Sequence, residues 1–175
     1  PDDVPTPLEP LWDDPRVRMN EGGCDPHGNL YAGGMAYDQK PGGAGLYKIT
    51  PEGDVSVTLA QVTVSNGLDF SPEGDLAYYN DTATGTTDVF DVVDGELTHR
   101  RVFASSDGTH PDGLTVDSVG NVWVALNGAG RVRCYSPRGT VLEEIEVPVR
   151  LVTALTLGGE DLCDLYITTS KENLD

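Results

Sequence analysis

A repeat with a period of 46 residues runs through the chain and limits the folds that it can adopt. Gly28, Gly74 and Gly120 are separated by this interval, and each closes a turn segment of common form. The segments read Asp25-Pro-His-Gly-Asn-Leu30, Ser71-Pro-Glu-Gly-Asp-Leu76 and Asp117-Ser-Val-Gly-Asn-Val122, with a looser fourth copy at Leu162-Cys-Asp-Leu-Tyr166. In such a turn Asp or Ser bonds its own backbone, and Gly supplies a positive φ.

The segments between these turns have the composition of short β-strands. They are β-branched, aromatic or alternating, and Gly, Pro, Asp or Asn interrupts them every few residues. No segment keeps a 3.6-residue apolar period long enough to predict a helix. A unit of ~45 residues accommodates four strands, which is typical of a β-propeller blade. A β-sandwich also has evenly spaced strands but predicts no residue-level repeat, so we predict an all-β propeller of four-stranded antiparallel sheets.

The repeat divides the chain into about three and a half blades. We place them at about residues 17–60, 64–104, 111–147 and 151–175, and assign residues 1–16 to a loop and the end of a preceding blade. Because propellers usually need four to eight blades to close a ring, we interpret the chain as an internal portion of a longer propeller. A compact, complete domain is the alternative.

The charge of the chain excludes some partners. It has 29 acidic and 11 basic residues, a formal net charge of -18, spread along its length. Nucleic-acid phosphates and anionic membranes would be repelled, so we predict neither as a partner. We expect Cys24, Cys134 and Cys163 to be buried in or beside strands in a reducing compartment, and hence a cytoplasmic protein. The composition gives no indication of the oligomeric state.

Three polar residues recur with the same period at the starts of predicted strands. Asn20, Asn66 and Asp112 are separated by 46 residues and then by 46 again. Because repeated units bring equivalent positions together, we predict that they contribute to one site. Their oxygens suit a hard divalent cation such as Ca²⁺ or Mg²⁺. Taken singly, Asn66 and Asp112 are also explained as turn residues. Turn chemistry explains the remaining acids and amides of the repeat: Asp25, Asp69, Asp75, Asp117 and Asn121.

Four motifs, kept in order and spacing, resemble those of a known family. The segment 18–35 resembles its RxNDGxxDPxGRxWxGTM pattern, and Gly45-Leu-Tyr-Lys-Ile49 resembles its GxLYRL strand. The segments 65–72 and 111–117 resemble SNGLxxSPD and PDGLxxDxxG. The family is that of senescence marker protein, gluconolactonase and regucalcin, and the resemblance covers nearly the whole chain after Val17.

The resemblance implies a six-bladed propeller and a metal-dependent hydrolase of sugar lactones such as gluconolactone. Asn66 matches a metal ligand, and Asp112 matches an aspartate that is both a metal ligand and the proposed general acid/base. Arg18 and Asn20 match residues that bind substrate oxygens, and Asp38 falls where many members have an acidic substrate contact. Ca²⁺ is the expected cation, with Zn²⁺, Mg²⁺ and Mn²⁺ as alternatives.

The chain departs from the family pattern at two acidic positions. Glu21 stands where an aspartate is more common after the asparagine. The remaining metal ligand of the family is a glutamate in an EGPxW segment of an earlier blade. Glu9, followed by Pro10 and Trp12, lacks that glycine and lies only 11 residues before Asn20. We therefore do not assign Glu9 as the ligand.

Three functional classes remain open at this stage. The first is a metal-dependent sugar lactonase in which Asp112 transfers a proton. The second is another hydrolase on the same fold, such as a phosphotriesterase-like or aryl-ester-cleaving enzyme. The third is a non-catalytic propeller fragment that binds a cation or a protein.

Overall fold

The computed structural model describes residues 9–172, and these residues form an all-β fold. Strands pair with their sequence neighbours in three four-stranded antiparallel sheets and one two-stranded sheet. Of the loop predicted over residues 1–16, positions 1–8 lie outside the described part of the chain. The last three residues of the fourth predicted blade, 173–175, also lie outside it.

Each sheet is a meander built from one repeat. The first sheet contains β1 (Val17–Cys24), β2 (Leu30–Ala36), β3 (Ala44–Ile49) and β4 (Val55–Val62). The second contains β5 (Ser65–Phe70), β6 (Leu76–Asp81), β7 (Thr86–Val93) and β8 (Glu96–Ser105). The third contains β9 (His110–Val116), β10 (Val122–Asn127), β11 (Arg131–Tyr135) and β12 (Val141–Glu146), and the fourth contains β13 (Val152–Gly158) and β14 (Asp164–Thr169).

The glycine turns join the first and second strands of the first three sheets, as the repeat predicts. Gly28, Gly74 and Gly120 have φ values of 85°, 73° and 84°, in the left-handed region that favours glycine. The Asp25 carboxylate accepts hydrogen bonds from two backbone N–H groups of its own turn, and the Asp117 carboxylate does the same two periods later. Local turn chemistry therefore defines where each first strand ends.

Asp69 is an exception, because its assignment to a turn is wrong. The residue lies inside β5, and its carboxylate accepts hydrogen bonds from the Val116 N–H at 2.8 Å and the Thr115 hydroxyl at 3.1 Å. Both donors belong to β9 in the next sheet. Asp69 therefore links the innermost strands of two successive sheets.

The sheets are arranged side by side as blades, with β1, β5, β9 and β13 as neighbouring inner strands. Apolar side chains fill the space between successive sheets. The first cluster includes Tyr31, Leu46, Phe70, Tyr79 and Phe90, the second Tyr78, Val122, Val124, Leu126 and Tyr135, and the third Ala125, Val132, Val152 and Leu155. This arrangement is a partial β-propeller, and the predicted fold class is confirmed.

The prediction that all three cysteines are buried is wrong for two of them. Cys134 is buried within β11, whereas Cys24 and Cys163 are exposed. Cys24 is the last residue of β1 and Cys163 lies in the turn before β14, so both stand at sheet ends, away from the apolar clusters. Within residues 9–172 the one helical element is a single 3-10 turn, Thr82–Thr84, and no helix has the length and apolar character to cross a membrane.

A buried lysine connects the first blade to the second. Lys48 on β3 is 8% exposed. Its ammonium group donates to the Gly95 carbonyl at 2.6 Å and to the Glu96 carboxylate at 3.0 Å. A buried cation is stable only with such partners, so this contact contributes to holding the two blades together.

Replacing Lys48 by methionine tests this contact. We expect Lys48→Met to lower the free energy of unfolding by about 1–3 kcal/mol, because the Gly95 carbonyl loses its donor and packing across the blades changes. The matched control is Arg16→Met, since Arg16 pairs with Asp14 at 2.7 Å in an exposed position. That change should leave the free energy of unfolding close to that of the parent, because an exposed ion pair contributes little to stability. Urea unfolding of both variants measures the difference, and equal losses would contradict the assignment.

Candidate functional site

Each of the first three inner strands carries a β-bulge at the same point, and the predicted site residues occupy these bulges. The bulge falls at Asn20 in β1, at Asn66 and Gly67 in β5, and at Asp112 and Gly113 in β9. A bulge leaves a residue unpaired in the ladder and re-aims its side chain. The sequence period of 46 therefore corresponds to one structural position in three successive blades.

A fourth bulge in β13 extends this series to Thr153. The segment Val152-Thr-Ala-Leu155 lines up with Ser65-Asn-Gly-Leu68 and Pro111-Asp-Gly-Leu114. The 46-residue period does not indicate Thr153, because this residue follows Asp112 by 41 positions. The shared pattern of a polar residue, a small residue and leucine was the signal that could have found it.

The glycines that follow Asn66 and Asp112 let neighbouring inner strands approach closely. A Cβ on Gly67 would overlap the backbone of Leu114, and a Cβ on Gly113 would lie 2.8 Å from the Ala154 Cα. Neither glycine is in the positive-φ region, and both lie inside strands. The interpretation of Asn66 and Asp112 as turn residues is therefore wrong. The glycines are required by strand contact.

Asn20 and Asn66 are in direct contact across the first two blades. The Asn20 side-chain amide donates to the Asn66 Oδ1 at 2.9 Å and to the Ser65 carbonyl at 2.8 Å. Both amide hydrogens of Asn20 are thereby used. Its Oδ1 accepts no hydrogen bond from another described residue, so this oxygen is available to a ligand.

Asn66 is connected to the segment of Asp112 through the end of β6. The Asn66 amide donates to the Thr82 hydroxyl, which donates to the Pro111 carbonyl at 2.7 Å. The side-chain amide of Asn80, two residues before Thr82, donates to the Asp112 backbone carbonyl, also at 2.7 Å. Sequence spacing gave no indication of Asn80 or Thr82, because neither is part of a repeated motif.

The Asp112 carboxyl is half-buried and bonded to only one side-chain donor among the described residues. The Asn127 amide donates to its Oδ2 at 2.8 Å. Burial raises the pKa of Asp112 to about 6, although hydrogen bonds from Asn127 and from the Gly113 N–H oppose the rise. A carboxyl with this pKa is ionised at neutral pH and can still take up a proton.

Glu21 lies beside this group and was noted in the sequence only as a departure from the family pattern. Burial, and secondly the negative charge of Asp112, raise the pKa of Glu21 to about 7. Neither carboxyl has a Lys, Arg or His partner within salt-bridge distance in the part of the chain that the structure describes. Two carboxyls without a counter-charge make this region favourable for a cation.

The structure does not bring the other two predicted substrate residues into contact with this group. The Arg18 guanidinium donates to the Met19 carbonyl at 2.9 Å and lies 6.0 Å from the centre of the Tyr37 ring. Asp38 is exposed in the turn after β2, where its carboxylate accepts the Lys40 N–H at 3.1 Å. Both residues lie near Tyr37 in the first blade. Their roles in substrate binding stay predictions.

The donor atoms fit a hard divalent cation, although the set is small. Asn66 and Asp112 supply amide and carboxylate oxygens from adjacent blades, which are the ligands that Ca²⁺ and Mg²⁺ prefer. Residues 9–172 contain no cluster of three His, Cys, Asp or Glu side chains arranged to hold a metal. Glu9 is exposed, as expected for a residue outside the site.

Comparison with known proteins places this geometry in a family. The SMP-30/Gluconolactonase/LRE-like region matches residues 5–171. A 6-deoxy-6-sulfogluconolactonase of Pseudomonas putida is 41% identical over 160 residues, which cover 89% of this chain and 55% of that protein. Regucalcin of Danio rerio is 36% identical over 168 residues, covering 92% of this chain and 57% of that protein.

A solved structure agrees with these matches. The crystal structure of a calcium-binding protein, regucalcin of Agrobacterium tumefaciens, superposes with a TM-score of 0.87 at 29% identity. The match covers 92% of this chain and 56% of that one. The chain thus spans somewhat more than half the length of the relatives that it matches. It belongs to the SMP-30/gluconolactonase/LRE-like family.

Proposed function

We propose that the protein containing this chain hydrolyses sugar lactones with a bound divalent cation and Asp112 as general acid/base. The convergence of the bulge residues Asn20, Asn66 and Asp112 from three successive inner strands carries the proposal. The relative from Pseudomonas putida is named a sulfogluconolactonase, which supports a sugar lactone as the substrate. Because the chain spans about half of such relatives, the proposal concerns the whole protein.

Asn66 and Asp112 would hold the cation, with Ca²⁺ as the first candidate because the similar solved regucalcin is described as calcium-binding. A bound divalent cation polarises a lactone carbonyl and stabilises the negative charge that develops on its oxygen. The Asn66 Oδ1 accepts the Asn20 amide and keeps a second lone pair for this role, since the Asn66 amide nitrogen is directed at Thr82. Zn²⁺, Mg²⁺ and Mn²⁺ are the alternatives that a metal titration would compare.

Asp112 would move the protons of the reaction. Its carboxylate takes a proton from the attacking water while the water oxygen bonds to the lactone carbonyl carbon. The same proton then passes to the ring oxygen as the ester bond breaks, which leaves an open-chain hydroxy acid. The bond from Asn127 to Oδ2 would hold the carboxyl in place for this transfer.

Arg18, Asn20 and Asp38 would position the substrate. The Asn20 Oδ1 can accept a sugar hydroxyl, because both hydrogens of its amide are already bonded within the protein. Arg18 forms no ion pair with another described residue, so its guanidinium can donate to carbonyl or ring oxygens of the lactone. Asp38 would accept a hydroxyl at the outer edge of the site.

Substituting Asp112 tests the proposed chemistry in the whole protein. We expect Asp112→Asn to lower kcat for gluconolactone hydrolysis by at least about 10²-fold, because the amide keeps the shape of the side chain but cannot accept the proton. Chelation with EDTA should abolish hydrolysis, and added Ca²⁺ should restore it. The matched control is Asp94→Asn, an exposed turn residue, which should retain the parent activity.

A continuous assay of acid release measures these rates. Parent-like hydrolysis by Asp112→Asn or by the chelated protein would contradict the mechanism. A protein that binds Ca²⁺ but hydrolyses no lactone would favour the non-catalytic cation-binding alternative.

The acidic pair also predicts a pH dependence of the metal-free stability. The pKa of Glu21 is raised from 4.5 to about 7 in the folded state, so folding favours the protonated form. The contribution of Glu21 to stability is therefore fully present below about pH 4.5 and is lost as the pH rises through about 7. We expect Glu21→Gln to raise the free energy of unfolding by about 1–3 kcal/mol relative to the parent at pH 8. At pH 5 the two proteins should differ by less than about 1 kcal/mol.

Urea unfolding in EDTA at the two pH values measures this effect. Glu73→Gln, at an exposed turn position, is the control and should leave both values unchanged. A stabilisation by Glu21→Gln that does not increase with pH would contradict the assigned environment of Glu21.

A further inference from the structure

Asn80 at the end of β6 and Thr82 at the start of the following 3-10 turn form hydrogen bonds with proposed site segments of the second and third blades. Asn80 donates to the Asp112 carbonyl at 2.7 Å, and the Thr82 hydroxyl donates to the Pro111 carbonyl at 2.7 Å. These carbonyls belong to consecutive residues at the bulge of β9. Asn66, in contrast, lies in the same blade as Thr82 and donates to its hydroxyl.

The Thr82 hydroxyl determines which end of the Asn66 amide faces it. A hydroxyl has a single hydrogen, and here that hydrogen is directed to the Pro111 carbonyl, which can only accept. Thr82 therefore offers Asn66 a lone pair. An Asn66 rotated by 180° about its last side-chain bond would place Oδ1 against this lone pair, which is unfavourable for two acceptors. The amide is held with Nδ2 towards Thr82 and Oδ1 towards Asn20.

Asn80 has a complementary role on the Asp112 side. The residue is fully buried, at 0% exposure. Its Oδ1 has no partner in the described part of the chain, and its one hydrogen bond there is the donation to the Asp112 carbonyl. A buried asparagine with a single bond, made to the backbone of the bulge, restrains the position from which the Asp112 side chain projects.

We propose that Thr82 is a positioning residue for the cation site, which together with Asn20 keeps Oδ1 and Nδ2 of Asn66 from exchanging places, and that Asn80 restrains the Asp112 backbone beside it. The inference rests on the proposed function, in which Asn66 and Asp112 hold the cation. In this assignment Thr82 is not itself a ligand and acts through its hydrogen bond to Asn66. Residues that orient metal ligands in this way typically change metal affinity by about 10–100-fold when they are replaced.

Three variants separate positioning from packing. Thr82→Val keeps the shape of the side chain but removes the hydroxyl, whereas Thr82→Ser retains the hydroxyl. Thr87→Val is the matched control, because Thr87 is buried in the same sheet and its hydroxyl has no partner in the described structure. We expect Thr82→Val to weaken Ca²⁺ binding by about 10–100-fold, and Thr82→Ser and Thr87→Val to stay within about threefold of the parent.

Calorimetric titration of the whole protein with Ca²⁺ measures these affinities. Parent-like binding by Thr82→Val, or an equal loss in Thr82→Ser, would overturn the proposal. A loss in Thr87→Val as large as that in Thr82→Val would also overturn it, because packing alone would then account for the effect.

A second readout does not depend on metal binding. In the metal-free protein, the side-chain amide hydrogens of Asn66 should exchange slowly with solvent in NMR spectra of the parent and of Thr82→Ser, and quickly in Thr82→Val. Unchanged exchange in Thr82→Val would overturn the positioning role. If the parent itself binds no Ca²⁺, the proposed function fails, and the exchange of the Asn66 amide still decides whether Thr82 orients it.

Discussion

The contact between neighbouring inner strands at their bulges is the interaction on which the site depends. Gly67 and Gly113 have no side chain at the point where each strand meets the next, and a single added carbon would overlap or crowd the adjacent backbone. This contact brings the polar residue that precedes each glycine towards the propeller axis, around which the inner strands are arranged. The two dipeptides Asn66-Gly67 and Asp112-Gly113 therefore supply both the proposed ligand atoms and the space that lets the strands approach.

Hydrogen bonds across the blades then determine how the converged side chains are oriented. Asn20 reaches Asn66 directly, and Thr82 connects Asn66 to the segment that carries Asp112. The carboxyls of Glu21 and Asp112 remain without a cationic partner among the described residues, and burial raises the pKa of both. Under the proposed function, these oriented oxygens and uncompensated carboxyls would gain stability from a bound cation.

The repeat made the fold and part of the site predictable from the sequence. The turns around Gly28, Gly74 and Gly120 depend on local backbone chemistry, so their spacing predicts the blades. The pairing of Asn20 with Asn66 follows from the same period. Thr82 could not be predicted in this way, because its role arises from contacts between blades that leave no pattern in the sequence. Asp69 was misassigned for the same reason, since its partners lie 46 and 47 residues away in β9.

The most direct test of the shared site is a crystal structure of the whole protein grown with Ca²⁺. We expect one ion in contact with both the Asn66 Oδ1 and the Asp112 carboxylate, with Thr82 still accepting the Asn66 amide. An ion bound away from these residues, or Asn66 and Asp112 directed away from each other in the ion-bound protein, would contradict a single site built from adjacent blades.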